Sequence, residues 1–304
     1  MNNIEKDLLK EITGNEQFEG AYNIRKDGQG VERKITENIN IVTKEDVSGI
    51  DIYVKENTKY EFVHIPVIIT QSGLKDVVYN DFHIGENAKV TIIAGCGIHN
   101  DHHKDSQHDG IHRFFLEKGA KVKYIEKHYG QGDGTGKRVL NPVTEVYLKE
   151  GAILEMDSVQ IKGVDSTERI TKGVIEENAS FVVSEKIMTH GSQFAKTVFE
   201  VELNGENAST KVTSRSVATE DSKQEFRSKV IGNEKCFGHV ECDALIKDNA
   251  KVVAIPEIVA NNVEANLIHE AAIGKIAGEQ LTKLMTLGLT EKEAEEAIIN
   301  GFLK

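Results

Sequence analysis

Several residue types are scarce in this chain. Its 304 residues include no tryptophan, three prolines and three cysteines, and aromatic residues make up 6% of the sequence. No apolar run approaches the ~20 residues that cross a bilayer, and the first residues lack the basic end and apolar stretch of a secretory signal. We therefore expect a cytoplasmic protein without a membrane partner. Three cysteines cannot all pair within one chain, so we expect Cys96, Cys236 and Cys242 to be free thiols.

Basic residues are also in the minority. The chain has 37 lysines and arginines against 49 aspartates and glutamates, which gives a formal charge of -12. Nucleic acids and anionic membranes need a basic surface, so the charge argues against either as the main partner. The scarcity of proline leaves long strands free to form hydrogen bonds along their whole length.

A loose internal repeat organises most of the chain. Six segments combine Gly, Asn or acidic turn residues with an alanine and then β-branched or alternating residues: "GENAKVTI", "EKGAKVKY", "KEGAILEM", "EENASFVV", "GENASTKV" and "KDNAKVVA". The alanines stand at 88, 120, 152, 179, 208 and 250, so the first four steps are 32, 32, 27 and 29 residues. The last gap of 42 residues is expected to contain a weak repeat near "IGNEKCFG".

This spacing predicts a β-solenoid over residues 21–272. A turn, a small residue and a short strand that recur about every thirty residues are typical of stacked coils. The alternative is a β-sandwich, but its turns recur about every 8–12 residues. The fold class expected is therefore all-β with short terminal helices.

Helical patterns lie at both ends. Residues 1–20 are expected to contain one amphipathic helix, with Ile4, Leu8 and Ile12 on its apolar stripe and Gly14 at its end. From residue 273 to 304 the sequence predicts a pair of helices, the second opened by a capping box of Thr290 and Glu293. Two short helices bury little by themselves, so we expect them to pack on the solenoid, on a partner, or on both.

The glycine-rich stretch "GQGDGTGKR" resembles a phosphate-binding loop without being one. Gln131 stands where that motif needs its first glycine, and Arg138 replaces the Ser or Thr that would bind magnesium. We expect a loop between coils, and any ATP hydrolysis must come from another chain.

Histidines are concentrated in "GCGIHNDHHKDSQHDGIH", from Gly95 to His112, which holds five of the eleven histidines and Cys96. Cys96 and His99 have the spacing of one half of a zinc site, without a clear second half. A metal site that includes His99 or His112, a reactive cysteine beside histidines, and a solvated loop all remain open on the residues alone.

The segment "CDALIKDNAKVVAIPEIVANNVEANLIHEAAIGKIAGEQL", from Cys242 to Leu281, resembles the SufB/SufD family of iron–sulfur cluster assembly proteins. The similar features are a "CD" pair that opens a strand, a "P-x-I" strand, the "HEA" motif, "IGKI…EQL", and two helices that end in "GF". The resemblance implies a right-handed parallel β-helix and a C-terminal helical pair that docks a SufC-type ATPase, an ABC-type enzyme. It also implies a dimer interface at which a nascent cluster is built, so the chain itself is expected to be a scaffold rather than an enzyme.

The resemblance assigns roles to individual residues. The functional cysteine and glutamate of SufB correspond to Cys242 and Glu270, and the important histidine of SufD corresponds to His269. One chain with all three would suit a homodimer, and SufB's long N-terminal region has no counterpart here. The "GC" cysteine of SufB accepts sulfur from a donor and passes it along the β-helix interior, a role that falls on Cys96. Cys236 is expected to be structural or auxiliary.

The chemistry agrees with this hypothesis. Thiolates are the usual ligands of iron in such clusters, and a carboxylate or imidazole can complete a labile site that later releases its product. Cys242, Glu270 and His269 are thus the expected ligands of iron and of a transient cluster, expected as [4Fe-4S], that passes to apo-proteins. Two alternatives remain: a SufD-like structural subunit of the same complex, and a β-solenoid metalloenzyme with a histidine-rich metal site.

Overall fold

The computed structural model describes residues 1–14 and 18–303, which form three helices and twenty strands. The helices are α1 (Asn3–Thr13), α2 (Gly278–Thr286) and α3 (Glu291–Phe302). The strands are β1 (Ala21–Lys26), β2 (Gln29–Lys34), β3 (Ile39–Thr43), β4 (Gly49–Val54), β5 (Lys59–Ile69), β6 (Lys75–Ile84), β7 (Lys89–His99), β8 (Ser106–Leu116), β9 (Lys121–Gln131), β10 (Arg138–Leu140), β11 (Val143–Leu148), β12 (Ile153–Lys162), β13 (Ser166–Ile175), β14 (Ser180–Thr189), β15 (Phe194–Leu203), β16 (Ser209–Ala218), β17 (Lys223–Gly232), β18 (Phe237–Ile246), β19 (Lys251–Ala260) and β20 (Asn266–Lys275).

The strands build two sheets that the chain visits alternately. The first sheet has the order β2-β1-β5-β7-β9-β12-β14-β16-β18-β20, and the second runs from β19 through β17, β15, β13, β10/β11, β8, β6 and β4 to β3. Apart from the hairpins β1–β2 and β3–β4, neighbouring strands are parallel, and each pairs with the strand one coil away. The result is a β-solenoid of about eight turns, which confirms the predicted fold class.

A row of small residues marks one corner of the solenoid. The backbone N–H after each corner donates to the corner residue one coil earlier, as Lys121 N does to Ala88 O at 2.8 Å. The row contains Ala88, Ala120, Ala152, Ala179, Ala208, Cys236 and Ala265. The weak repeat expected near "IGNEKCFG" is therefore confirmed, with Cys236 in the alanine position. The assignment of Ala250 to the same series was wrong, because Lys251 N bonds to Ser222 O at the opposite corner.

Alternate residues of each strand fill the interior, and their character changes across it. Near the alanine corner the interior is apolar: Phe82 and Phe114 stack with centroids 4.4 Å apart, beside Tyr124. Towards the opposite corner the inward positions carry buried polar and charged side chains, among them His128 and Arg169. The interior of the solenoid thus has an apolar half and a hydrogen-bonded half, and both hold the coils together.

Helix α1 lies on the outer face of the first sheet. Gly95 and Gly97 leave room for it, because a Cβ atom on them would lie 3.0 Å from Ile12 Cβ and 3.1 Å from Leu8 Cδ2. The expected stripe holds for Leu8 and Ile12, whereas Ile4 is 39% exposed and Leu9 is buried in its place. The helix is shorter than the predicted 1–20 segment, of which residues 15–17 lie outside the described residues.

The C-terminal helices begin later than expected. Strand β20 continues to Lys275, so the helical segment starts at Gly278 rather than at 273. The capping box of Thr290 and Glu293 is confirmed, and α3 packs Ile299 and Leu303 against Val217. Within the described ranges, no helix combines the length and apolar character needed to span a membrane.

Candidate functional site

Cys242 lies on β18, one coil before the coil that β19 and β20 form. Its side chain points into the solenoid and is 2% exposed, with Ser214 of β16 and Ala271 of β20 beside it in register. Burial, with contributions from the carboxylates of Glu185 and Asp243, raises the pKa of the Cys242 thiol to about 12. The thiol is therefore protonated at neutral pH, and a metal must displace that proton in order to bind.

His269 and Glu270 are consecutive on β20, so they face opposite sides of the sheet. His269 points inward beside Val240, and its buried Nε2 has no hydrogen-bond partner among the described residues. Glu270 points outward and accepts a hydrogen bond from His239 Nε2 at 3.0 Å. The structure thus brings Cys242 and His269 to one interior surface and leaves Glu270 on the outer surface with His239, a residue that the sequence did not single out.

The coil formed by β19 and β20 is the open end of the solenoid. Both strands have one edge without a neighbouring strand in the described chain, so their outer N–H and C=O groups are available for pairing. Large apolar side chains remain exposed there: Ile255, Ile258, Ile268 and Ile273 are 41%, 44%, 39% and 45% exposed. His269 and Cys242 therefore lie within the last two coils, next to a surface suited to a further strand.

Cys96 lies near the other end, on β7, where it points inward between Val67 and His128 and is 2% exposed. Burial raises the pKa of Cys96 well above its usual value, and the carboxylates of Asp76 and Glu126 act in the same direction. The sequence could not reveal that these carboxylates face the thiol.

The histidine-rich stretch divides between loop and interior. His99 ends β7 and bonds to Asp101 at 2.8 Å, whereas His102 and His103 lie in an exposed loop. That loop stacks on the glycine-rich segment, where Gly134 N donates to Asn100 O at 3.1 Å, so the segment is a loop between coils as predicted.

His112 belongs to the interior instead. Its Nδ1 lies 2.7 Å from the Tyr124 hydroxyl and its Nε2 lies 3.3 Å from Asn80 Nδ2, so both ring nitrogens have partners. The structure therefore does not bring His99 and His112 together as metal ligands.

Another group of possible ligands lies on the outside of the second sheet. Among the described residues, Asp51, Asp81 and His83 have ligand atoms within 4.8 Å of one another. Lys44 forms ion pairs with both aspartates, and Arg113 also binds Asp81. These cations neutralise the carboxylates, so the group gives no support to a metalloenzyme.

A buried charged network occupies the interior between the two cysteines. Arg169 of β13 forms ion pairs with Glu126 of β9 at 2.5 Å and with Glu185 of β14 at 3.4 Å. Ser214 donates to Glu185 at 2.8 Å, and Ser214 is the direct neighbour of Cys242 on the next strand. Cys96 and Cys242 are five interstrand steps apart, which corresponds to roughly 24 Å.

The electrostatics of this network follow from burial and from one arginine. Burial by itself would raise the pKa of Glu126, but the Arg169 guanidinium, with smaller contributions from His128 and His112, holds that pKa below its usual range. Burial lowers the pKa of His112 and of His128 to about 4, so both rings are neutral at neutral pH. The interior therefore contains fixed charges and neutral imidazoles that accept or donate hydrogen bonds.

The sequence analysis missed this network, although a signal was present. In "AKVKYIEKHYG" the inward positions follow from Ala120 at the corner by alternation, which places Tyr124, Glu126 and His128 inside. Ionisable residues at inward positions of a buried strand are rare unless they are paired. Their partner Arg169 lies in a different coil, and only the stacking identifies it.

The fold and the site together define a parallel β-helix with a buried cysteine at its open end and a charged interior that leads to it. Comparison with known proteins agrees: a family model described as "SUF system FeS cluster assembly, SufBD core domain" matches residues 67–302. A SufBD family protein of Methanocaldococcus jannaschii is 30% identical over 257 residues, which cover 83% of this chain and 79% of the relative. A second, from Archaeoglobus fulgidus, is 29% identical over 86% of this chain and 69% of its own length. The chain belongs to the SufBD family of iron–sulfur cluster assembly proteins.

The similarity to a protein named SufB is more local. Iron-sulfur cluster assembly protein SufB of Bacillus subtilis is 36% identical over 104 residues, which cover 32% of this chain and 22% of that protein. The chain thus shares the family core, and SufB itself extends well beyond the matched part.

Proposed function

We propose that this protein is a scaffold on which a nascent iron–sulfur cluster is assembled between two copies of the chain, for transfer to apo-proteins. The observation that carries the proposal is the position of Cys242 and His269 in the last two coils, where the buried Nε2 of His269 has no hydrogen-bond partner within residues 1–14 and 18–303. An imidazole nitrogen in that state is costly unless something else binds it. Iron at the open end would satisfy it.

A second copy that adds its own β20 edge would supply the remaining ligands. In a two-fold arrangement each residue enters twice, so the site would hold two Cys242 thiolates and two His269 imidazoles. Each thiol gives up its proton to solvent when iron binds. Glu270 lies on the outer face of β20. It would bind the cluster from the edge of the site, or act as the ligand from which the cluster is transferred to an apo-protein. A site with two thiolates per cluster would release a [4Fe-4S] product more readily than a site of four cysteines.

The sulfur is proposed to enter at Cys96 and to travel through the interior. A donor persulfide would transfer its outer sulfur atom to Cys96, the donor would leave as a thiolate, and the Cys96 proton would pass to a base. The Arg169 guanidinium and the hydrogen-bonding side chains between Cys96 and Cys242 support this path, since an apolar interior could not stabilise a persulfide anion.

ATP hydrolysis is proposed to come from a SufC-type partner that docks on α2 and α3. Within these helices and the turn that joins them, Met285 is 44% and Leu287 is 76% exposed, so this segment offers neighbouring apolar side chains that a partner can bury. The three free buried thiols suit a reducing compartment, in agreement with a cytoplasmic location.

Anaerobic reconstitution with ferrous iron and sulfide tests the proposal, with absorption spectra and iron content as readouts. Cys242→Ser and His269→Ala should lose most of the bound cluster, while Cys236→Ser, at a corner of the solenoid, should retain it. Melting temperatures measured on the same samples separate loss of ligands from loss of fold. Equal retention by the Cys242 and Cys236 variants would remove Cys242 from the site.

A further inference from the structure

Three lysines are stacked on the outer face of the first sheet. Lys59, Lys89 and Lys121 are direct neighbours on β5, β7 and β9, which puts them about 4.8 Å apart along the ladder. None of the three forms an ion pair with a carboxylate of the described residues. Like charges in directly opposed positions destabilise a sheet.

Elsewhere on the protein several lysines are matched by carboxylates across coils. Lys118 pairs with Glu150 at 2.7 Å, Lys196 with Glu168 at 2.6 Å, and Lys229 with Glu257 at 3.1 Å. A chain with 49 acidic residues could readily supply such partners to the stacked lysines as well. The stack instead places three like charges side by side with no carboxylate between them, an arrangement that local stability does not favour.

An aromatic residue stands beside the stack in a costly conformation. Tyr60 has a φ of 61° and is 77% exposed, at a point where the register of β5 shifts by one residue. A bulky residue in the left-handed region is strained, and a bulge re-aims the side chain that it carries. The bulge turns the Tyr60 ring out to solvent next to Lys59.

Two of the three lysines and Tyr60 contribute to one open groove, and Lys59 borders it as the neighbour of Lys89. We call it the lysine groove, and its lining includes Tyr60, Lys89, Lys121, Lys123, Ile153 and Glu155. Lys123 is partly engaged by Asp157 at 3.6 Å, and Glu155 is the carboxylate that lines the groove. The groove combines positive charge with the apolar surfaces of Tyr60 and Ile153. It is separate from the cysteines, whose side chains point into the solenoid.

We propose that the lysine groove is a docking surface for an acidic, aromatic-containing segment of a partner protein. Its carboxylates would pair with Lys59, Lys89 and Lys121, and its apolar side chains would pack on Tyr60 and Ile153, which flank the stack on opposite sides. Charge complementarity favours this occupant, because an acidic segment is repelled by most of a chain with a formal charge of -12 and attracted by this patch.

The chemistry of the groove argues against small phosphates and nucleic acids. It has no arginine fork, and lysines alone are point charges without the bidentate geometry that grips phosphate. Three stacked lysines cover about 10 Å, much shorter than the basic surface that a nucleic acid strand would follow. Several carboxylates on one polypeptide instead gain affinity from simultaneous contacts.

The test uses the full-length protein and a fluorescein-labelled peptide, Glu-Asp-Glu-Phe-Glu-Asp-Glu, followed by fluorescence anisotropy. Binding should weaken about tenfold between about 50 and about 300 mM NaCl. Lys89→Glu should weaken binding at least about tenfold and, by placing a carboxylate between two lysines, raise the melting temperature by about 1–3 °C. Higher stability together with lost binding would indicate that these lysines serve binding of a partner and not stability of the fold.

Matched variants and competitors decide the outcome. Lys211→Glu with Lys223→Glu changes two exposed lysines outside the groove that form no ion pair in the described part of the chain, and it should leave the peptide affinity within about twofold. If charge reversal impairs folding, the double variant Lys89→Gln with Lys121→Gln replaces Lys89→Glu as the test, and it should also lose peptide binding. Absence of peptide binding, equal loss in the control variant, or stronger binding of oligothymidylate or tripolyphosphate would overturn the proposal.

Discussion

The guanidinium of Arg169 lies 2.5 Å from the carboxylate of Glu126 inside the β-helix, although 43 residues separate them in the sequence. The same guanidinium lies 3.4 Å from Glu185 on a later coil. One cation therefore bridges two buried carboxylates that belong to different coils. This bridge joins the Cys96 end of the interior to the Cys242 end.

Removal of that cation should destabilise the fold strongly. Arg169→Met leaves two buried carboxylates without compensation, and we expect a loss of about 3–5 kcal/mol in the free energy of unfolding. Urea denaturation measures it. The double variant Glu126→Gln with Arg169→Met should recover part of the loss, whereas Arg227→Met, at an exposed arginine, should change stability little.

The same variant should respond to pH in a defined direction. In the wild type, Arg169 depresses the pKa of Glu126, so its contribution is present at neutral pH and is lost only when the pH falls through the folded-state pKa. Without the arginine, burial raises that pKa, and the penalty present at high pH fades as the carboxylate is protonated. The stability difference between wild type and Arg169→Met should therefore shrink from about pH 8 to about pH 5. A constant difference would show that Glu126 is not the residue responsible.

Thiol reactivity should report the burial of the cysteines. Burial raises the pKa values of Cys96 and Cys242, so iodoacetamide at about pH 8 should modify both at least about a hundredfold more slowly in the native protein than in urea. Mass spectrometry of digested samples measures each site. Rapid native modification of Cys242 would mean that the last coil opens in solution.

The open end of the solenoid should control the oligomeric state. We expect a dimer by light scattering, and Ile255→Asp with Ile268→Asp should convert it into a folded monomer, because both side chains are exposed beside the free edges. Val31→Asp, an exposed position in the hairpin at the other end, is the matched control. A wild-type monomer that binds a full cluster would contradict the shared site.

Docking of the ATPase should depend on the C-terminal helical pair. Leu287→Asp changes a side chain that is 76% exposed, so folding should be unaffected while co-purification with a SufC-type ATPase falls at least about tenfold. Ile35→Asp, 53% exposed and far along the chain, should leave the complex intact. Retained binding by the Leu287 variant would place the docking surface elsewhere.

Much of the architecture could be predicted because it is local or periodic. The corner alanines, the strand alternation and the capping box of Thr290 and Glu293 each depend on residues close in sequence. Ala250 was assigned to the wrong corner because both corners use similar turn residues, and only the hydrogen bond from Lys251 to Ser222 separates them.

The candidate site likewise has features that the sequence determines and features that only the tertiary structure decides. The sequence by itself determined the family, the cysteines and the "HEA" motif, since these are contiguous patterns. Tertiary structure decided that Cys242 and His269 face inward while Glu270 faces outward, that Cys96 is buried in an apolar cluster near two carboxylates, and that Arg169 bridges Glu126 and Glu185. The physical reason is that stacking of coils sets which residues become neighbours across about thirty positions of chain, and burial then fixes their charge.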